Sequence, residues 1–482
     1  MAKHGMTRRK VLAATSAVGA AGLLPQRTMA QAAAPTGGGS PDRPAASLPT
    51  RGEFVVRGAT VLTMDSAIGE LAKGDVHVRA GAIVAVAASV AAPGAEVIDG
   101  NGMICMPGFV ETHWHLWTSL LRPVMRQDDP KQSYFPVTAK LGTHYTPEDS
   151  YRSVRLGLAE ALNAGITTTQ NWAHNVRSPA HADAEMRAMR DTGIRGRFAY
   201  GTPQGSPNEQ AMDIADLARA KRDWVTNDGM LTLGICSRNV GNDPNPLRGT
   251  VTIDMAKKEW GAARELGLPI TLHTSGPRVT KLLEDAGLLG PDVQLVHPLG
   301  ITAEDRAILA KRGVSYSSSP TGEARRPGDI QVAELIHDGV KVSLSIDHNT
   351  TYNCDCFVCM RMLYSLNQHH GGKPVKLTTK RLVQLATIDG ARDLGIADKV
   401  GSLTPGKRAD LILVRTTDAN MAAMGDPFDA LVTMAQPANV DTVVVDGRIL
   451  RRNGQYTALD HQQVVREAMA SVDALRGRAK WP

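Results

Sequence analysis

Two imidazoles one residue apart, His113 and His115, lie in the stretch Pro107-Gly108-Phe109-Val110-Glu111-Thr112-His113-Trp114-His115-Leu116-Trp117. On a β-strand, residues i and i+2 face the same side, so one short segment aims both rings at one point. Neutral imidazole is a common ligand of zinc and other borderline metals. Three more side chains of this chemistry each close an apolar, β-rich run. They are His273 after Leu268-Pro269-Ile270-Thr271-Leu272, His297 after Val293-Gln294-Leu295-Val296, and Asp347 after Val342-Ser343-Leu344-Ser345-Ile346.

Strand ends are where a (β/α)8 barrel carries its functional side chains. The 234 residues from His113 to Asp347 divide over seven βα units at about 33 each, a normal barrel repeat. Helix-like and strand-like segments alternate through this region, as such a barrel requires. Thr146-Pro147-Glu148-Asp149 opens a helix with a cap, a proline in the first turn and acidic residues; it runs to Asn163-Ala164 and Gly165 stops it. Strand 2 is predicted at Ile166–Asn171, strand 3 at Arg197–Tyr200, strand 4 at Leu231–Cys236 and strand 7 at Gly313–Ser317.

Both flanks of the barrel read as β-structure. Phe54–Leu62, Asp75–Arg79 and Ala82–Ala87 precede it; Asp410–Val414 and Val440–Val445 follow, with Asp446-Gly447 as a hairpin turn. The fold class is therefore α/β, a TIM-like barrel inserted in a small β-sandwich made from both chain ends. The expected organisation is a signal peptide over 1–32, a linker over 33–50, sandwich over 51–106, barrel over 107–400, sandwich again over 401–457, and a terminal helix over 458–482.

The motifs PGFVETHWH, TLH, LVH and LSIDH, in this order, resemble the amidohydrolase superfamily, in its mononuclear cytosine-deaminase-like and triazine-hydrolase-like branch. So do Ala386-Thr387-Ile388-Asp389-Gly390-Ala391 and the run Gly401 to Leu411, and the likeness spans residues 52 to 455. The resemblance implies one divalent metal, zinc foremost with iron, manganese and cobalt as alternatives, held by His113, His115, His273 and Asp347. It gives Asp347 the further role of proton acceptor and lets His297 hydrogen-bond the attacking water or the developing oxyanion. The implied reaction is hydrolysis of a C–N bond in a small amide, urea-like or N-heterocyclic compound by metal-activated water. Deamination or dechlorination of an N-heterocycle is a second reading, and a non-catalytic ligand-binding barrel a third.

Two departures bear on that chemistry. Binuclear relatives carry a bridging lysine on strand 4, whereas Gly234-Ile235-Cys236-Ser237 offers none; Cys236 reads as a buried structural thiol. Deaminases of this branch carry H-x-x-E after strand 5, whereas His273-Thr274-Ser275-Gly276 places a glycine where the proton-carrying glutamate belongs. Ser275, or Glu323 from the loop after strand 7, is a candidate replacement. Trp114, Trp117 and His174 are candidates to line the substrate pocket, while His348, His369 and His370 read as satisfied or surface histidines. Cys354, Cys356 and Cys359 read as helix residues, since their spacing does not match a paired zinc site.

Composition narrows the partners. Hydrophobic residues make up 42% of 482, enough for a large core. The net charge of +6 arises from 54 basic and 48 acidic residues mixed along the chain, with no basic block to suggest nucleic acid. Five cysteines make no disulfide framework. Lys3, Arg8, Arg9 and Lys10, the apolar stretch Val11–Leu24 and Ala30-Gln31-Ala32 read as a secretory signal, with Arg8-Arg9 resembling the twin-arginine type. The expectation is a periplasmic or secreted protein acting on a small molecule, off the membrane after signal cleavage and compatible with a homo-oligomer.

Overall fold

The period-2 pattern of a strand buried on both sides organises the junction of the two chain ends. In Leu411–Arg415, Leu411 and Leu413 pack with Phe54, Val61 and Val76, while Ile412 and Val414 face the main core of the molecule. Its neighbour Met103–Pro107 alternates the same way, Cys105 to one cluster and Ile104 and Met106 to the other. The computed structural model describes residues 47–126, 128–241, 249–274, 278–297, 299–324, 330–353, 355–369 and 376–481. The signal and most of the linker, along with Ser275, Gly276, Cys354 and His370, lie outside the described residues.

These two strands sit centrally in a nine-stranded sheet. Its order is Gln455–Tyr456, Arg448–Arg452, Val440–Val445, Leu411–Arg415, Met103–Pro107, Glu53–Leu62, Glu70–Arg79 and Ala82–Ala87, with Glu96–Asp99 also paired to Glu53–Leu62. The two flanks read as β from the sequence thus share one sheet. Arg195 on the barrel reaches it through a buried ion pair, with Nε donating to Asp410 Oδ2 at 2.7 Å.

The second sheet is the barrel, eight parallel strands in chain order: Phe109–Trp114, Ile166–Ala173, Arg195–Gly201, Leu231–Ser237, Ile270–His273, Val293–Val296, Ser315–Ser318 and Lys341–Leu344. The seventh strand starts two residues later than predicted. Gly313, at φ +70°, is spent on the C-cap of helix Ala303–Arg312. The helix before the second strand is Pro147–Asn163, with a reciprocal capping box between Thr146 and Asp149. Gly165, at φ +81°, turns the chain back into the barrel where a side chain would be strained. No helix among the described residues is long and apolar enough to cross a membrane.

The barrel closes between its eighth and first strands by a single parallel bridge, Trp114 to Asp347. Asp347 N–H donates to the carbonyl of His113 at 3.0 Å, and His115 N–H donates to the carbonyl of Asp347 at 2.8 Å. Below the bridge Glu111 stands in for the ladder. Its Oε1 accepts from the backbone N–H of His113 at 2.8 Å and of Ile346 at 3.3 Å, and its Oε2 from Thr169 Oγ1 at 2.8 Å.

Candidate metal centre

The seam that closes the barrel also assembles the candidate site. His113 lies near the end of the first strand and His115 just past it, His273 ends the fifth, His297 follows the sixth, and Asp347 lies just past the eighth. Their side chains converge at the C-terminal mouth. Nε2 of His113 and of His115 lie 3.4 and 3.3 Å from Asp347 Oδ1, and His113 Nε2 lies 3.3 Å from His273 Nε2. His297 Nε2 stands 3.7 Å from Asp347 Oδ2. His113, His273, His297 and Asp347 each offer a donor atom within 4.8 Å of the others, so His297 faces the same centre as three of the four expected ligands, while His115 stands outside this group and joins it through Asp347.

His297 and Asp347 are both non-glycine residues with positive φ, +53° and +73°. Such backbone is costly and persists where the surroundings over-determine it, commonly at functional sites. Gly322 makes room for the carboxylate, since a Cβ there would come within 3.0 Å of Asp347 Oδ2.

Burial sets the protonation states. It pushes His113 down to about 4 and His115 down to about 3, so both rings are neutral near pH 7. It likewise lowers His273. Burial opposes ionisation of Asp347, but the charges of His348 and His297 and the hydrogen bonds of His113 and His115 hold it well below the usual carboxylate range. Neutral imidazoles with their nitrogens packed around one carboxylate, two of those nitrogens in mutual contact, form an arrangement that a shared cation relieves. The set fits a divalent metal of borderline softness. Cys236, on the fourth strand, is no ligand of this kind. Burial pushes its thiol well up, and Sγ–H donates to Ala199 O at 3.2 Å.

Beside these groups opens a cavity of about 200 Å³ walled by Tyr134, Phe135, Trp172, His174, Arg238 and His348, among others. His174 is where the sequence placed it, its ring edge-on to His115 at 4.5 Å. Trp114 and Trp117 are corrections. The alternation that aligns His113 with His115 turns Trp114 to the opposite face, into the main core. Trp117 is buried among Leu120, Leu121 and Tyr145, and its ring lies 5.2 Å from that of His174 on the pocket wall. Glu323 is a further correction. It ends the short helix Pro320–Glu323, is 1% exposed and lies beneath His297, not on the pocket wall. Ser275 lies outside the described residues.

The sequence reading missed Tyr134, Phe135, Trp172, Arg238 and His348 as pocket residues. Trp172 was within reach, since it precedes His174 by two positions on the second strand; its ring stacks on His273 at 4.3 Å. His348 follows Asp347 directly. It is buried, with Nδ1 2.7 Å from Thr350 Oγ1 and its ring 4.9 Å from that of Tyr134. Tyr134 comes from helix Tyr134–Gly142, inserted after the first strand, where no sequence period announces a pocket. Cys356 and Cys359 are buried free thiols on helix Cys356–His369, as expected of helix residues.

The model of the amidohydrolase family matches residues 104–450. A 5-methylthioadenosine/S-adenosylhomocysteine deaminase of Symbiobacterium thermophilum is 32% identical over 451 residues, 86% of this chain and 98% of that protein. A 5'-deoxyadenosine deaminase of Methanosarcina mazei is 27% identical over 445 residues, 88% of this chain and 99% of that one. Among solved structures, an adenosine deaminase from Xanthomonas campestris with bound zinc superposes at a TM-score of 0.77. It is 22% identical and covers 89% of this chain and 100% of its own. Atrazine chlorohydrolase from Arthrobacter aurescens, complexed with zinc, superposes at 0.73 with 21% identity, covering 87% and 100%. At those identities the two structures speak for the fold.

Proposed function

The chain belongs to the amidohydrolase family, and from that premise we propose that it hydrolyses a C–N bond, other than a peptide bond, in a small planar nitrogen compound. The observation that carries this reading is the convergence of His113, His115, His273 and Asp347 at one mouth of the barrel, beside a cavity walled by aromatic rings. A divalent cation, with zinc as the first choice, supplies Lewis-acid chemistry there when bound, activating water and polarising the electrophilic carbon.

The protein's own groups divide the remaining work. His113, His115 and His273 are the neutral nitrogen ligands, and Asp347 is the anionic one. Asp347 also takes the proton of the attacking water on Oδ2 and hands it to the leaving nitrogen. His297 Nε2, 3.7 Å from that oxygen, hydrogen-bonds the reacting oxygen. Trp172, stacked on His273 and edge-on to His113 at 4.3 Å, holds both rings and shields them from water. Tyr134, Phe135 and His348 offer flat faces to a ring.

A second reading, deamination of an N-heterocycle, is favoured by the names of the relatives, which are deaminases over nearly their full length. It must do without a glutamate at the position of Gly276. One experiment addresses both: protein stripped of metal and reloaded with zinc is screened against amides, ureas and amino-substituted heterocycles for release of ammonia, amines and carboxylates. Ammonia from a ring amine selects deamination. Equal turnover by the stripped and reloaded protein sinks both readings. We further propose twin-arginine export to the periplasm, supported by Arg8-Arg9 and the apolar stretch that follows. Residues 1–32 fused to a folded reporter would reach the periplasm only in cells with a working twin-arginine translocase.

A further inference from the structure

We propose that Arg238 is a positioning residue which, together with Glu259, holds the loop over residues 202–213 as a wall of the substrate cavity. The proposal rests on the reading above only in that the cavity beside the metal centre takes the substrate. The loop joins the third strand, Arg195–Gly201, to helix Ile214–Trp224, and its Pro203, Gln204 and Ser206 line the cavity. Arg238 follows the fourth strand directly and lines the same cavity. Its Nη1 donates to the carbonyl of Pro207 at 3.1 Å, and its Nη2 to the carbonyl of Gln210 and to Glu259 Oε1, each at 2.7 Å. Glu259 stands on helix Ile253–Glu265, and the same Oε1 accepts from the backbone N–H of Met212 at 2.8 Å. Two carbonyls and one N–H of the loop thus end on one ion pair, whose side chains are 6% and 0% exposed.

The loop has little else to hold it. Gly205, Pro207, Asn208, Glu209 and Gln210 are exposed. Two bonds are internal turns, Ser206 N–H to the carbonyl of Pro203 and Gln210 N–H to that of Pro207, both at 3.1 Å. Near the strand end Gln204 is tied to the second strand's side, with its N–H donating to the carbonyl of His174 at 3.2 Å and its carbonyl accepting from Arg177 Nη2 at 3.3 Å. From Gly205 to Ala211, the hydrogen bonds that leave the loop among the described residues run to Arg238. A segment with few buried apolar contacts opens at low cost, and a loose wall must be ordered again each time a ligand binds. A buried ion pair adds little stability over apolar side chains of the same volume. Stability therefore does not account for the charges here, whereas the loop's unpaired backbone groups, which need donors at two carbonyls and an acceptor at one N–H, do.

The test separates holding the loop from holding the fold. Amide hydrogen exchange of the zinc-loaded protein is followed by mass spectrometry in peptides covering the loop and in peptides from the strands that carry the metal centre. In wild type the loop peptides should exchange at least about 10-fold more slowly than an unstructured chain. The double variant Arg238→Met with Glu259→Leu replaces the pair by apolar side chains of similar volume, so it should melt near wild type. It should nonetheless keep its zinc and exchange about 10-fold faster in the loop peptides alone. Glu259→Gln, which retains an acceptor for Met212 N–H and for Arg238, should stay close to wild type. On a substrate returned by the product screen, the double variant should raise KM about 10-fold or more while kcat falls less. Unchanged loop exchange in the double variant overturns the proposal. So does acceleration spread evenly over all peptides, or a loosened loop with KM unchanged. An unprotected loop in wild type overturns it even where no variant folds. Exchange needs no substrate, so its outcome stands apart from whether the reaction assigned above is the right one.

Discussion

The carbonyl of Asp347 accepts a 2.8 Å hydrogen bond from the backbone N–H of His115. Since Asp347 N–H also donates to the carbonyl of His113, the carboxylate-bearing residue is held between the two histidines by main chain alone. Substituting its side chain should therefore leave the barrel seam in place. Asp347→Asn should fold with near-wild-type melting behaviour, bind zinc more weakly by elemental analysis, and lose turnover by about 10³-fold, the worth of roughly 4 kcal/mol at the barrier. A variant that keeps full activity would remove Asp347 from the chemistry.

Glu111 bears the part of the seam that the main chain leaves open. Three donors end on it, the backbone N–H groups of His113 and Ile346 and the hydroxyl of Thr169. Each buried group left without a partner costs about 1–3 kcal/mol. Glu111→Ala should thus destabilise by about 3 kcal/mol or more, lowering Tm by about 3 °C or more for a chain of this size. Glu111→Gln keeps an acceptor for both N–H groups and should lose far less. Calorimetry on the two variants distinguishes a seam staple from a dispensable core residue.

Glu185 supplies a pH test away from the metal centre. It is fully buried on helix Pro179–Thr192, with Oε2 accepting from Asn171 Nδ2 at 2.8 Å. Burial pushes its carboxyl up to about 8 from an ordinary value of 4.5. Between those values the folded protein keeps a proton that the unfolded chain has released. Stability from this group is therefore full below about 4.5 and is lost as pH rises toward about 8, by at most about 1.4 kcal/mol per pH unit. Glu185→Gln, which cannot ionise, should flatten the Tm profile between pH 5 and pH 8 relative to wild type. Parallel profiles would show that the carboxyl titrates normally.

Arg195 and Asp410 test the joint between barrel and sheet. Their side chains are 1% and 2% exposed, and the guanidinium donates to both carboxylate oxygens. Breaking a buried pair by removing one partner costs about 3–5 kcal/mol, because the survivor is left charged and unpaired. Arg195→Met should lower the urea midpoint accordingly. Adding Asp410→Asn, which neutralises the survivor and keeps an acceptor for Asp446 N–H, should restore part of the loss.

Much of this arrangement was legible in the residues. Strand alternation put His113 and His115 on one face, and the apolar runs ending in His273, His297 and Asp347 marked strand ends. The capping chemistry around Thr146 fixed where a helix begins. Glu323 was misjudged as a pocket residue because burial is not a local property. The turn Pro320–Glu323 folds beneath His297, 26 positions away in the chain, and nothing in either segment encodes that contact. Tyr134 and Arg238 were missed for the same reason, since loops of different strands meet only when the barrel closes.

The sequence by itself determined the elements, their order and the residue types at each strand end, because periodicity and turn chemistry act over a few residues. Only the tertiary structure decided which of those ends share a centre, and that His297 joins it while Trp114 and Trp117 turn away. Closing the barrel sets distances between residues more than two hundred positions apart, and those distances come from the joint packing of all eight strands.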